Sequence, residues 1–402
     1  MHNCSTSDSK VFFLNVAEIL HVTRFLLYFS LLGSAFCQHA VPGDLDPLDQ
    51  INELEFEEYF HVDHVNDTAE EAKREEALKK NEALVHEINE QFEKGNSSWS
   101  AEVNEFANLP VDEFDAMETG AIEPEQYGRG LLQPDRNETI DQESEDYFNQ
   151  LMINRQAVPN SYSSVALGLV SPIKNQYQCG SCVAFSNMAV VETCFKKITG
   201  VFGDYSEQQF VDCGFGKDGA NGCEGAFANS YLKWATDNKA DLFHEYSYPY
   251  LNEEPKLTCP SNIPVYNQGA KVENMYYKFF SGTEDLLKTL VYTHGAVTTT
   301  INTDGGFMTY KQGIFDGCTS QQQDHAVTVV GYGTENGVDY WLIKNSWGTN
   351  WGDKGYIKLK RGVGMCGIAK DLATVTCTKV GGAISETPTT KKPCIGTKFH
   401  IY

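Results

Sequence analysis

The chain has 402 residues, 41% hydrophobic and 21% charged, enough for a real core and for more than one folded unit. A formal net charge of −24 repels polyanions, which excludes nucleic acid and anionic lipid as partners on electrostatic grounds. Cys 12 is a high count for a reducing cytosol and points to an oxidising compartment.

In chain order, Arg24 precedes the apolar run Phe25 to Leu32, followed by Gly33, Ser34, Ala35, Phe36 and Cys37. A basic residue, a short apolar stretch and small residues predict a secretory signal peptide over 1–37. The run is too short to span a bilayer alone, and no other stretch is apolar enough, so the mature protein is expected free of membrane. Residues 38–156 are acidic and rich in polar helix formers. Thr68 with Glu71 forms a capping box that opens a helix to about Phe92, and Gly95 offers a stop. Glu70, Arg74, Leu78, Asn81, Val85 and Asn89 share one face of it; pattern alone also fits a solvated amphipathic helix. Sequons at Asn66, Asn96 and Asn137 are compatible with glycosylation in the secretory pathway. From Asp112 to Asn154 there is little periodicity, and the stretch reads as an extended connector open to proteolysis.

From about Val158 cysteines, glycines and aromatics become dense. Gly180 to Gly200 is predicted helical with an apolar face that includes Val183, Phe185, Met188 and Phe195. Ser206 with Gln209 is a second capping box, opening a short helix to about Cys213. Ala296–Ile301, Ala326–Val330, Tyr340–Lys344 and Tyr356–Lys360 read as antiparallel strands. Helices early and strands late predict an α+β protein with two lobes, a helical left lobe and a β-barrel right lobe, behind a helical prodomain. The boundaries are 38–156 for the prosegment, 157–379 for the main domain and 380–402 for a polar tail.

The chemistry centres on Gln176-Tyr177-Gln178-Cys179-Gly180-Ser181-Cys182 at the start of the predicted helix. A thiol there meets the positive end of the macrodipole, which favours thiolate, and a nearby imidazolium lowers its pKa further. His325 starts a predicted strand and Asn345 follows another, so pairing can bring both to one edge facing the helix. Asn345 can accept the second imidazole N–H and fix the ring. Singly, each residue has a duller explanation: a disulfide, a core histidine, a turn.

Together the segments Pro172-Ile-Lys-Asn-Gln-Tyr-Gln-Cys-Gly-Ser-Cys182, Asp324-His-Ala-Val-Thr-Val-Val-Gly-Tyr-Gly333 and Lys344-Asn-Ser-Trp-Gly-Thr-Asn-Trp-Gly352 resemble the papain family of cysteine proteases, cathepsin L-like members above all. The resemblance covers about 158–378 and reaches into the prosegment, where the Glu70 to Asn89 face and Asn104-Glu-Phe106 resemble the family's inhibitory motifs. It implies a thiol endopeptidase made as a zymogen, without metal or cofactor. Cys182 is implied as nucleophile, His325 as general acid/base, Asn345 as the group orienting it beneath Trp347, and Gln176 as an oxyanion donor. It also implies a substrate cleft at Gly225, Ala226, Phe227, Thr300, Asp324, Ala326, Trp347 and Asp371, with Asp371 at a pocket floor where it could pair with Arg. Disulfides are implied for Cys179–Cys223, Cys213–Cys259 and Cys318–Cys366. Of the remaining cysteines, Cys377 with Cys394 and a free Cys194 are preferred.

The sequence departs from the family at Val183, Tyr177, Gln178, Ser163, Ser164, Glu224, Ala226, Glu102 and Asn108. A non-catalytic binding protein on the same fold, or an exopeptidase, remain the alternatives. Expected partners are protein or peptide substrates, the chain's own propeptide and cystatin-like inhibitors, acting on a monomer in the lysosome or outside the cell. Prosegment removal is expected between about Glu145 and Val158, favoured by acid through protonation of prosegment carboxylates.

Overall fold

Thr68 to Glu93 forms a long helix, α1, whose polar composition hides two buried apolar positions, Leu78 and Val85. This computed structural model describes residues 68–122, 138–154, 158–252, 259–260 and 270–379, all within the unit Leu48–Tyr402. The expected signal peptide, sequons Asn66 and Asn137, Cys394 and the tail lie outside the described residues. After α1 come β1 (Trp99–Ala101), α2 (Val111–Glu118), α3 (Glu138–Asn154), β2 (Tyr162–Ser163), α4 (Cys182–Thr199), α5 (Glu207–Cys213) and α6 (Ser230–Asp237). The remainder is β3 (Ala270–Lys278), α7 (Glu284–His294), β4 (Val297–Ile301), β5 (Tyr310–Phe315), β6 (His325–Glu335), β7 (Val338–Lys344), β8 (Tyr356–Lys360) and β9 (Leu372–Lys379).

Every residue of α4 from Cys182 to Phe195 is buried, as befits a helix that is apolar nearly all round. It stops at Gly200, which adopts φ 77° and donates its N–H to the Lys196 carbonyl. The sheet runs β1-β5-β8-β7-β6-β4-β9-β3, antiparallel except where β5 meets β8 in parallel. Strand alternation divides its side chains between two cores. Val327 and Val329 of β6, with Leu372 of β9, enter one cluster; Ala326 and Val330, with Ala373 and Val375, enter the cluster around α4. The two faces thus bind a helical lobe to a β lobe, as expected.

Three local expectations need correction. Ser206 caps Gln209 N at 3.0 Å, but the Gln209 side chain turns away to Asp241 O and Phe243 N, so only half of the capping box forms. The stretch taken for an extended connector contains α2 and α3. In α3, Tyr147, Phe148, Leu151 and Met152 form an apolar face within an acidic sequence and pack on the β-lobe core. Finally, Cys377 is bonded to Cys194, so Cys194 is not a free thiol. The bridges Cys179–Cys223, Cys213–Cys259 and Cys318–Cys366 are present.

Cys194–Cys377 fastens α4 to β9 across a sequence separation of 183 residues. The double variant Cys194→Ser/Cys377→Ser should lose about 2–4 kcal/mol, a fall in Tm of roughly 5–15 °C by calorimetry. An unchanged Tm would show that packing alone holds that junction.

Tyr147 also places a proton-sensitive contact under α3. His294 Nδ1 lies 3.1 Å from the Val375 carbonyl and must donate to it, so Nε2 accepts from Tyr147 OH at 2.7 Å. Burial lowers its pKa from 6.5 to about 4, helped by the Lys197 charge. A depressed histidine stabilises the fold above its unfolded pKa and loses that contribution as pH falls from 6.5 towards 4. Denaturant titrations over this range should show the wild type losing about 3 kcal/mol more than His294→Gln. Parallel curves for the two proteins would contradict this.

Candidate active site

Cys182 is the first residue of α4, and its sulfur is fully buried. The strand beginning at His325 abuts it: Ala326 N donates to Cys182 Sγ at 3.3 Å. His325 Nε2 lies 2.7 Å from Asn345 Oδ1, and its Nδ1 has no hydrogen-bond partner. The His325 ring lies on Trp347, centroids 4.6 Å apart, which shields the His–Asn contact from water. Gln176 is oriented by Ser346 Oγ, which donates to its Oε1 at 2.6 Å, while its Nε2 donates to Cys179 O at 3.1 Å. Tyr250, which the sequence reading missed, donates its hydroxyl to the Gln176 carbonyl at 2.8 Å. Asn345 and Gln176 are thus tied to the same turn, Asn345-Ser346-Trp347.

The prosegment closes over this arrangement. On α1, Asn81 donates to Ala107 O at 2.7 Å, and Asn89 exchanges two bonds with the Ala101 backbone. Arg74 pairs with Glu113 at 2.7 Å. The predicted face therefore grips its own following segment and is not solvated. β1 pairs antiparallel with β5, seating Trp99 against Phe315 at 4.6 Å. Asn104 donates to Met308 O at 2.8 Å, and Phe106 and Phe114 abut Trp347 edge-on at 5.7 and 5.2 Å.

Thr119 to Ile122 then runs through the cleft. Gly120 N and Ala121 N donate to Asp324 O, Ala226 N donates to Gly120 O, and Ile122 N donates to Ala226 O, all within 2.8–3.0 Å. Ala121 pairs parallel with Ala226. The approach is so close that a Cβ on Gly120 would overlap the Gly180 carbonyl, and one on Gly225 would lie 2.5 Å from Gly120 O. A cavity of 520 Å³ remains beside the strand, between Asp115, Thr119, Glu224, Asn302, Gln322 and Asp324.

Burial shapes the electrostatics of the site. Burial pushes the Cys182 thiol up to about 12, against the Ala326 amide, which lowers it. Burial also takes His325 down to about 4, against the raising effect of Asn345. Burial thus disfavours the charged form of both side chains, the thiolate and the imidazolium alike. Single carboxyls bear on acid opening with mixed sign. Glu105 and Asp115 are pushed up by burial, and Asp324 is raised to about 7 by burial despite bonds from Thr303. A carboxyl raised in the closed form favours closure below its free pKa and loses that as pH rises, so these groups resist acid opening. Glu70, lowered first by its hydrogen bond to Glu113, has the opposite sign.

The remaining predicted cleft residues are buried. Thr300 Oγ1 donates to Asp371 Oδ2 at 3.1 Å and faces Ala326 across the β4–β6 pair. Phe227 lies beside Gly219 in the helical lobe. Asp371 Oδ1 also accepts from Phe280 N at 2.9 Å, so the carboxylate serves the protein before any ligand. Asn96 is exposed just beyond α1. Among the described residues no group of His, Cys, Asp and Glu could hold a metal ion, and no helix is long and apolar enough to cross a membrane.

A helix-borne thiol beside a His–Asn pair, covered by the chain's own N-terminal segment, defines a thiol peptidase in its latent form. Residues 158–376 match the papain family cysteine protease profile, and the chain belongs to that family. It is 34% identical over 307 residues to a cathepsin L-like proteinase of Fasciola hepatica, covering 75% of this chain and 86% of that protein. It is 32% identical to chymopapain of Carica papaya, over 91% of this chain and 96% of the relative. Among solved structures, digestive procathepsin L 3 of Tenebrio molitor larval midgut superposes with TM-score 0.65 and 28% identity, covering 80% of this chain and 97% of that one. The protein is a papain-type cysteine endopeptidase made as a zymogen, with a propeptide packed on the protease domain.

Proposed function

We propose that Cys182 attacks the scissile carbonyl once Thr119–Ile122 has left and water has restored its ion pair with His325. The contact of Ala326 N with Cys182 Sγ, beside the 2.7 Å His325–Asn345 bond, carries this assignment. The sulfur forms the C–S bond, and Gln176 Nε2 with the Cys182 amide stabilises the oxyanion. His325 then gives its proton to the leaving amine as the C–N bond breaks. Water, deprotonated by His325, hydrolyses the thioester and regenerates the thiol. Asn345 keeps the ring aligned, and Trp347 keeps water off that bond.

Peptide substrates are expected to use the backbone groups the prosegment uses, Asp324 O and the Ala226 amide and carbonyl, with Gly225 leaving room for the chain. Phe227, Thr300, Ala326 and Asp371 line the pocket that sets preference, in favour of aliphatic or aromatic side chains. Because Asp371 already holds Phe280 N, at a residue with φ 53°, its role here is to brace the pocket. Asp371→Ala should destabilise by about 1–3 kcal/mol, seen in denaturant midpoints, through the amide it leaves unpaired. A stable variant that had lost only cleavage after Arg-containing sites would assign it to substrate.

The same reading places the enzyme in the secretory pathway, lysosomal or extracellular, as a monomer open to cystatin-like inhibitors and carrying glycan at Asn96, with Asn66 and Asn137 as further acceptors. Labelling by an epoxide inhibitor of thiol proteases, with cut-site mapping in a long peptide, tests the assignment. Internal cuts with stoichiometric label on Cys182 support it. A processed protein that never labels would be a binding protein on this fold, and terminal trimming alone would make it an exopeptidase.

A further inference from the structure

The sheet ends at β3, whose outer edge would leave backbone groups and aromatic faces open. α3 covers that edge. Ser144 Oγ, itself buried, accepts the Tyr277 backbone N–H at 3.3 Å. Glu145 grips Lys278 through both oxygens, at 2.7 and 2.8 Å. Tyr147 stacks on Tyr276 with centroids 3.8 Å apart and planes 11° from parallel, and its hydroxyl bonds His294. Phe148 is 2% exposed and belongs to the β-lobe core.

These contacts run to β3 and α7. The inhibitory contacts described above come from Thr68–Ile122 and run to Trp347, Asp324 and Ala226. Two stretches of one N-terminal region thus serve different surfaces, and vacating the cleft requires only the first to leave.

We propose that α3 is a docked part of the catalytic body and not of the inhibitory segment, so that the first active form of the enzyme still carries it as an N-terminal helix. This rests on the proposed role of Cys182 but concerns a different property, the N-terminus of the active species. A cut within Glu145–Asn154 would have to open a packed helix, whereas a cut upstream of Glu138 leaves it in place. α3 then guards the sheet edge in the working enzyme, and any later trimming to Val158 is a separate event.

The test is to incubate the zymogen at acid pH with the epoxide probe, then read N-terminal sequence and intact mass of the labelled species. A labelled chain starting upstream of Glu138 is expected. Labelled species that all start inside α3 or after Asn154 overturn the proposal. Absence of label would contradict the catalytic assignment instead, and hydrogen exchange still decides this one. With the cleft strand displaced in Gly120→Val, α3 amides should stay as protected as in the wild type; exchange that rises along with residues 119–122 overturns it. Tyr147→Ala/Phe148→Ser should lower the Tm of the active enzyme by several degrees while leaving zymogen latency unchanged, whereas loss of latency would make α3 inhibitory.

Discussion

Cys182→Ala is expected to lower kcat for peptide hydrolysis by a factor on the order of 10⁶ while the zymogen keeps its fold. The methyl that remains occupies most of the volume, so the burial of α4 is little disturbed. What disappears is the only described free thiol, at the point where α4 meets β6. Without it no acyl-enzyme forms, and Gln176 and the cleft retain only substrate binding and oxyanion contacts. Fluorogenic peptide assays on wild type and variant, each freed of its prosegment, give the ratio. Residual activity within a hundredfold of wild type would place the nucleophile elsewhere. His325→Ala should fall nearly as far, because the two residues act as a unit and their effects do not add.

Gly120→Val should break latency while leaving every residue of the protease domain unchanged. Its new side chain has nowhere to go, since the Gly180 carbonyl already occupies the Cβ position. Both partners are backbone, and the bonds to Asp324 and Ala226 fix the strand on either side, so the overlap is relieved only by lifting the strand out. Overpacking of this kind costs about 1–3 kcal/mol, or roughly 5–150-fold in the closed-to-open ratio. The zymogen should then hydrolyse small peptides by that much faster at neutral pH. Equal latency would mean that the grip of α1 and β1 alone keeps the cleft shut.

Much of this architecture is readable from residue pattern. Capping at Ser206, the stop at Gly200 and the Val-rich run of β6 are local signals, and their elements formed where expected, β6 running on to Glu335. The grouping of Cys182, His325 and Asn345, proposed as catalytic, was legible because each sits at the end of a recognisable element. Other features depend on distant partners. The apolar face of α3 is only four residues within an acidic run, and it becomes a helix surface because Tyr276 and His294 wait beneath it. Cys194–Cys377 joins an early helix to a late strand, a pairing that no spacing discloses. The raised pKa values of Asp324 and Cys182 and the lowered one of His325 arise from burial, which residue type alone does not report.

The proposed mechanism requires a sulfur that is dormant while Thr119–Ile122 occupies the cleft and nucleophilic once they depart. Alkylation of the Cys182 peptide by iodoacetamide, followed across pH 4–9 in intact zymogen and in released enzyme, measures this directly. The zymogen should react at least about a thousandfold more slowly, while the released enzyme should react well below the ordinary thiol pKa of about 8.5. Matching rate–pH curves for the two forms would contradict the account.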